Sequence, residues 1–297
     1  MKKMLFAVNP NAGMKKAAKH LSDMIGIFNR AGYDVSVFIT EKKGDAQVKV
    51  MEMADSVDVV VCCGGDGTFN EVMTGVMQAG VDVPLGYIPA GSTNDFANSL
   101  KLPTDMLEAA RNIVEGQPVP YDVGKFGDRY FSYVASFGAF TRTSYATPQN
   151  LKNALGHTAY ILSGIQELSQ IREISVKLEM DEGVLEGNYL FGAVCNSTSV
   201  AGILTLDPKQ VDMRDGRFEV LLVRSPKDLA EVTECIQAFQ NKTYNCKMVS
   251  FLNAKSVTVT MEQPVDWTLD GEYQQGLEQV QITNQHLAIR LLTRENA

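Results

Sequence analysis

The first third of the chain alternates short, fully apolar runs with stretches whose apolar residues recur at helical spacing. MLFAV (Met4 to Val8) reads as a buried strand, followed by a helical pattern from about Met14 to Arg30. YDVSVFIT sets Tyr33, Val35, Val37 and Ile39 against polar Asp34 and Ser36, the period of a half-buried strand. A helical pattern near Asp45 to Ala54 leads to the apolar run VDVVVCC (Val57 to Cys63), another near Thr68 to Gln78 leads to VPLGYIPAG (Val83 to Gly91). Strands separated by single helices cannot pair as hairpins, so the pattern predicts a parallel sheet with helices on both faces.

Near Tyr121 the pattern changes. VGKFGDRYFSYVASF places two β stretches around a Gly127-Asp128 turn, and ISVKLEM-DEG-VLEGNYLFGAVCNS reads as a second hairpin. GRFEVLLV, KMVSFLNA, KSVTVTM and EQVQIT add strands, with helices expected near Leu151 to Gln170 and Lys227 to Gln240. The expected fold class is therefore α/β: an N-terminal α/β domain over residues 1–122 and a mainly antiparallel β-sandwich over residues 123–285.

Composition narrows the role. Of 297 residues 45% are hydrophobic and 21% charged, which is ordinary for a globular protein. A formal charge of −8 argues against a general nucleic-acid binder and against broad attraction to anionic membranes. Cys62, Cys63, Cys195, Cys235 and Cys246 form no CxxC pair, and adjacent Cys62 and Cys63 should face opposite sides of a strand as small apolar residues, which fits a reducing cytoplasm. The N-terminal apolar run stops at Asn9-Pro10, short for a signal-peptide core, and no apolar stretch is long enough to span a bilayer. The expectation is a cytoplasmic protein, peripheral to the membrane at most.

Three glycine-containing loops follow predicted strands: NPNAG (Asn9 to Gly13), GGDGTFNE (Gly64 to Glu71) and PAGSTNDFA (Pro89 to Ala97). In a parallel sheet all three would lie at the carboxyl edge, where glycines and helix N-termini offer backbone N–H groups to an anion. A phosphate-bearing ligand follows. Neither GxxxxGK[ST] nor GxGxxG is present. Instead Asp66 sits inside the glycine loop, where a carboxylate would repel phosphate unless a cation such as Mg²⁺ lies between them; a turn residue bonding its own backbone is the plainer reading. In WTLDGEY, a spacing of two on an extended segment would put Asp270 and Glu272 on one face, where like charges raise one pKa toward that of a general base. By itself Asp-Gly is simply a turn signal, and the turn is the plainer reading.

Taken in order, NPNAG, GGDGTFNE, PAGSTNDFA and a late DGE resemble the diacylglycerol kinase catalytic family, over essentially the whole chain and with closest likeness to the soluble bacterial diacylglycerol kinases and related lipid kinases. GGDGT alone is shared with NAD kinases and resembles the phosphofructokinase glycine loop. The resemblance implies a phosphofructokinase/NAD kinase-like ATP-binding domain, a β-sandwich domain, a cleft between them, and a return of the chain's end (HLAIRLL, within 286–297) to the first domain. It implies ATP contacts at Asn9, Pro10, Asn11, Ala12, Gly13, Thr40, Gly65, Asp66, Gly67, Thr68, Phe69, Asn70, Glu71 and Ser92, with Asp66 helping to hold the nucleotide's Mg²⁺. Ala12 stands where serine is common, and Ser92 where threonine is. Asp270 or Glu272 would be the base for a lipid hydroxyl. VDMRDGRF matches a family segment that holds a structural Mg²⁺, which would fall to Asp212, Asp215 and Arg217.

Other candidates carry blander readings. His20, His157 and His286 have no metal-ligand spacing, and Lys15, Lys16 and Lys19 suit a solvated helix face better than a phosphate. Leu151, Leu155, Ile161, Leu162, Ile165 and Leu168 suit a helix packed on the core, part of which would be available to touch a bilayer. The expected activity is ATP-dependent phosphorylation of 1,2-diacylglycerol to phosphatidate, with lipid met at the membrane surface and a homodimer through the strand-rich region. Two rivals stand beside it: a kinase of a soluble substrate such as NAD, and a nucleotide-binding regulator without catalysis.

Overall fold

The computed structural model describes residues 1–138, 173–200 and 204–294. Strands β1 (Lys2–Val8), β2 (Tyr33–Ile39), β3 (Val59–Gly64) and β4 (Leu85–Pro89) stand in the order β4-β3-β1-β2, each neighbouring pair parallel. Helices α1 (Ala12–Arg30), α2 (Asp45–Met53), α3 (Asp66–Ala79), α4 (Asp95–Ser99) and α5 (Met106–Glu115) make the connections. Alternation along the strands divides the core. Phe6, Val61 and Cys63 pack with Phe28 of α1 and Ile113 of α5, while Leu5, Val60 and Cys62 pack with Val50 of α2 and Val72 and Val76 of α3. Cys62 and Cys63 thus serve opposite faces, and burial raises both thiols, Cys63 to about 12.

The second part is built on β5 (Gln117–Phe126), β6 (Arg129–Phe131), β7 (Val134–Gly138), β8 (Ile174–Met180), β9 (Gly183–Cys195), two short strands β10 (Ser199–Val200) and β11 (Leu204–Thr205), then β12 (Phe218–Arg224), helix α6 (Leu229–Gln240), β13 (Val249–Ala254), β14 (Ser256–Leu269) and β15 (Glu272–Thr293). Apart from the contact of β15 with β4, pairing here is antiparallel. Trp267, 1% exposed, lies against Phe126 and Phe137 at 5.0 and 4.8 Å between ring centroids and anchors its core. Full burial of such a ring contributes on the order of 3 kcal/mol.

β15 continues past its antiparallel partner β14 into the first part, where Leu291 registers with Leu85 of β4. β5 runs beside its later part, from Phe126 opposite Ile282 to Gln117 opposite Thr293. One strand ladder therefore passes from one half of the molecule into the other. The helix expected near Leu151 to Gln170, with His157, lies outside the described residues.

Candidate functional site

The three glycine loops meet at the carboxyl edge of β1, β3 and β4, and the glycines let them meet. A Cβ on Gly91 would stand 2.6 Å from the Gly65 Cα, and one on Gly13, at φ +59°, would stand 2.8 Å from the Ala90 carbonyl oxygen. Gly65 and Gly91 are thus required by loop-on-loop packing. Gly67 is different: a Cβ there would meet only Glu272 Oε1, at 3.7 Å, so this glycine faces open space. Asn9 fastens the first loop to the second, donating from Nδ2 to Thr68 Oγ1 at 3.2 Å and accepting from the Asn11 amide at 3.0 Å.

These loops frame a cleft of about 540 Å³ lined by Asn9, Asn11, Ala12, Gly13, Thr40, Gly65, Gly67, Thr68, Glu71 and Ser92, with Glu272 of β15 on the facing wall. Gly65 caps α3 without a side chain, and Phe69 N is the first amide of the helix bonded back to Gly65 O. The helix therefore presents its uncapped N-terminus, with its partial positive charge, at the edge of the cleft. Two residues of the same motif do something else. Phe69, fully buried, stacks between Tyr87 and Phe96 at 4.5 and 4.8 Å, so its side chain belongs to the core and not to a ligand contact. Glu71 accepts from the amides of Gly44 (2.8 Å) and Ala46 (3.3 Å), which clamps the β2–α2 loop onto α3. Burial raises its carboxyl, opposed by those same amides. Pro10 does not line the cleft.

Behind the cleft lie buried carboxylates from three loops. Asp66, on the first turn of α3, accepts from Thr93 Oγ1 (3.2 Å) and the amides of Asp95 (3.1 Å) and Phe96 (3.3 Å). Burial, then the charge of Asp95, pushes it up to about 6, and Asp270 adds to the same effect. Asp95 accepts from Ser199 Oγ at 2.5 Å and is hydrogen-bonded to the buried Tyr133 hydroxyl.

Asp270 and Glu272 do not share a face. Asp270 (φ 49°) and Gly271 (φ 81°) are the two central residues of a tight hairpin turn between β14 and β15, across which Leu269 pairs with Glu272. The turn reading of Asp-Gly is the one the backbone adopts, and it sends the two carboxylates apart. Asp270 is 5% exposed; its Oδ2 accepts from Ser132 N (2.5 Å), Ser132 Oγ (2.8 Å) and Asn70 Nδ2 (2.8 Å), its Oδ1 from the amides of Tyr133 (2.9 Å) and Val134 (3.1 Å). Burial raises its pKa against the pull of these donors. A carboxylate offers roughly four lone-pair sites, so Asp270 has none left for a substrate. Glu272 stays partly exposed and forms an ion pair with Lys43 across the cleft.

The model for the diacylglycerol kinase catalytic domain matches residues 3–126, and that for the YegS C-terminal NAD kinase beta sandwich-like domain matches residues 134–292. The diacylglycerol kinase of Staphylococcus saprophyticus is 34% identical over 267 residues, 89% of this chain and 87% of the relative. The chain belongs to the diacylglycerol kinase family. The Bacillus subtilis diacylglycerol kinase is 32% identical over 92% of this chain and 90% of its own. A solved structure from Bacillus anthracis str. Sterne, named as a candidate diacylglycerol kinase, superposes with a TM-score of 0.83 at 26% identity, covering 99% of this chain and 96% of that one.

In this chain the segment expected to hold a second cation is a tight loop. Asp212 Oδ1 accepts from Arg214 N (3.0 Å), Asp215 Oδ1 from Arg217 N (2.8 Å), and the Gly216 amide donates to buried Asp122 at 2.7 Å. The Arg217 guanidinium turns away to Asp181 and Glu182. Among the described residues no three His, Cys, Asp or Glu side chains are arranged to hold a metal ion. One feature does suit a cation. Glu219, 1% exposed, has no side-chain partner for either carboxylate oxygen and only the backbone amides of Glu219 and Asp212 beside it, and buried Asn284 Oδ1 has no hydrogen bond among the described residues. Burial, then the charge of Asp215, pushes Glu219 up to about 8. Backbone carbonyls with one free Asp215 oxygen match the oxygen preference of Mg²⁺.

Sequence reasoning missed Asp95, Ser132, Tyr133 and Glu219. Glu219 left a signal, a lone charge in the apolar run FEVLLV; Ser132 and Tyr133 left none, since they act largely through backbone amides. The β2–α2 loop that approaches the cleft is held from within by Asp45, whose Oδ2 accepts from the amides of Glu41 (2.9 Å) and Lys42 (2.8 Å). These amides, Lys42 first, lower the Asp45 pKa below 3.8. Its contribution is present above that value and is lost as pH falls through the lowered folded value. The Glu41 and Lys42 amide resonances should therefore titrate with a midpoint below 3.8; a midpoint at or above it would detach Asp45 from the loop.

Proposed function

We propose that this family member transfers the γ-phosphoryl group of ATP to the hydroxyl of 1,2-diacylglycerol, giving phosphatidate. The observation that carries this reading is the facing of two unlike walls across one 540 Å³ cleft: the glycine loops and uncapped α3 N-terminus on one side, the accessible Glu272 carboxylate on the other. Asn9, Asn11, Gly13, Thr40, Gly65, Gly67, Thr68 and Ser92 hold the nucleotide, with backbone N–H groups meeting its phosphates. Bound Mg²⁺ supplies neutralisation of phosphate charge, and Asp66, on the first turn of α3, is the carboxylate that answers it. Glu272 takes the proton of the attacking hydroxyl; Asp270, saturated by donors, fixes the turn that aims Glu272. Asp215, with the carbonyls of Asp212 and Arg217, holds a separate structural Mg²⁺.

On this reading lipid is met at a membrane surface; among the described residues no helix is long and apolar enough to cross one. The test is incubation of the purified protein with radiolabelled ATP, Mg²⁺ and mixed micelles carrying diacylglycerol, ceramide, a sphingoid base or phosphatidylglycerol, with NAD in a detergent-free arm. Labelled phosphatidate, reduced roughly 10²-fold by Glu272→Gln, is the expected result. Label in NAD alone would replace this reading with a soluble-substrate kinase. Nucleotide binding without product in any arm would leave the regulatory reading.

A further inference from the structure

Lys43 occupies an unusual place for a surface lysine. It belongs to the β2–α2 loop of the first part of the molecule, lines the same cleft as Gly65, Gly67 and Thr68, and forms its ion pair with Glu272 of the second part. Its partner's other oxygen, Oε1, is the atom that stands 3.7 Å from where a Gly67 Cβ would be. The ammonium is therefore one carboxylate away from the glycine loop. The backbone on either side is fixed, since the Lys42 amide is held by Asp45 and the Gly44 amide by Glu71. Only the long side chain is free to swing. Both members of the pair are well solvated, at 74% and 41% side-chain exposure, so the pair contributes little stability and is cheap to exchange.

We propose that Lys43 is a phosphate-binding residue that changes partner: it pairs with Glu272 before nucleotide arrives and moves to the polyphosphate of an incoming nucleotide, leaving Glu272 unpaired. The proposal rests on the nucleotide reading of this cleft. A polyphosphate carries more negative charge than one carboxylate, and an ammonium on a flexible stem follows the denser charge without a backbone change. The exchange ties release of the proton acceptor to occupancy by nucleotide. It also keeps Glu272 neutralised, and out of the way of arriving phosphates, until then.

The experiment is titration calorimetry with ADP, and with adenosine as a phosphate-free probe, on the wild-type protein, Lys43→Met, Glu272→Gln and the double variant. Lys43→Met should weaken ADP about tenfold in both the wild-type and Glu272→Gln backgrounds, while adenosine affinity and the thermal midpoint stay unchanged. Unchanged ADP affinity overturns the proposal. So does a loss that disappears when Glu272 is neutral, because Lys43 would then act only by masking a repulsive charge. Failure of the wild-type protein to bind ADP would instead remove the nucleotide reading. ADP binding with lipid phosphorylation, but no effect of Lys43→Met, would remove the partner exchange alone.

Discussion

Asp270→Ala should abolish turnover and lower the unfolding free energy by about 3 kcal/mol or more. The substitution strands the amides of Ser132, Tyr133 and Val134, the Ser132 hydroxyl and the Asn70 amide, all of which now converge on one buried carboxylate. A buried donor left unpaired costs about 1–3 kcal/mol, and water entering the vacated space recovers part of the sum. Loss of a charge near Asp66 recovers a little more, since the Asp270 carboxylate raises the cost of ionising Asp66. The turn then loses its anchor, and Glu272 its aim. Asp270→Asn should fall between, because its oxygen keeps some donors while its NH₂ opposes the rest. Denaturant midpoints read beside lipid turnover test this. An alanine variant with turnover within tenfold of wild type would remove Asp270 from the mechanism.

Asp66→Ala should reduce turnover by about 10³-fold while leaving overall stability within ~1 kcal/mol. Its three hydrogen bonds, from Thr93, Asp95 and Phe96, are lost, but so is a carboxylate that burial and the neighbouring Asp95 push up to about 6. The two effects oppose each other. What the variant should lose is discrimination between Mg·ADP and metal-free ADP, a property that Asp270→Ala leaves in place. Calorimetry with and without Mg²⁺ separates them. Retained preference for the magnesium complex would mean that Asp66 serves only to tie the third loop to α3.

The apolar runs were enough to find β1, β3 and β4, because each is buried on both faces and bounded by a glycine loop; β2 lies at the sheet edge, and Val37 and Ile39 of its expected buried face stand exposed. It could not say why those glycines are there. Gly65 and Gly91 answer to each other, and that approach depends on a fold the letters do not contain. Asp270-Gly271-Glu272 shows the same limit: period two and turn chemistry use the same letters, and the signs of two φ angles decide between them. Phe69 and Glu71 sit in the recognisable motif yet serve the core and a neighbouring loop, since a motif records what is kept together and not what each member touches. The donors that hold Asp270 were beyond reach for a simpler reason. They are mostly main-chain groups, present at every position.

β15 begins at Glu272 in the cleft and ends, 22 residues later, against β4, with β5 paired beside it for most of that length. The two halves of the protein are therefore joined by a beam and not by a pair of linkers. A beam resists the wide opening that a hinge permits. Its pairing with β5 breaks register between Gln285 and Ile289, where Leu287 takes φ 50° and the Leu287 amide is pinned by Asp122. The gap between the glycine loops and Glu272 is thus largely a dimension set at folding, and any selection among substrates by that gap works as a fixed gauge.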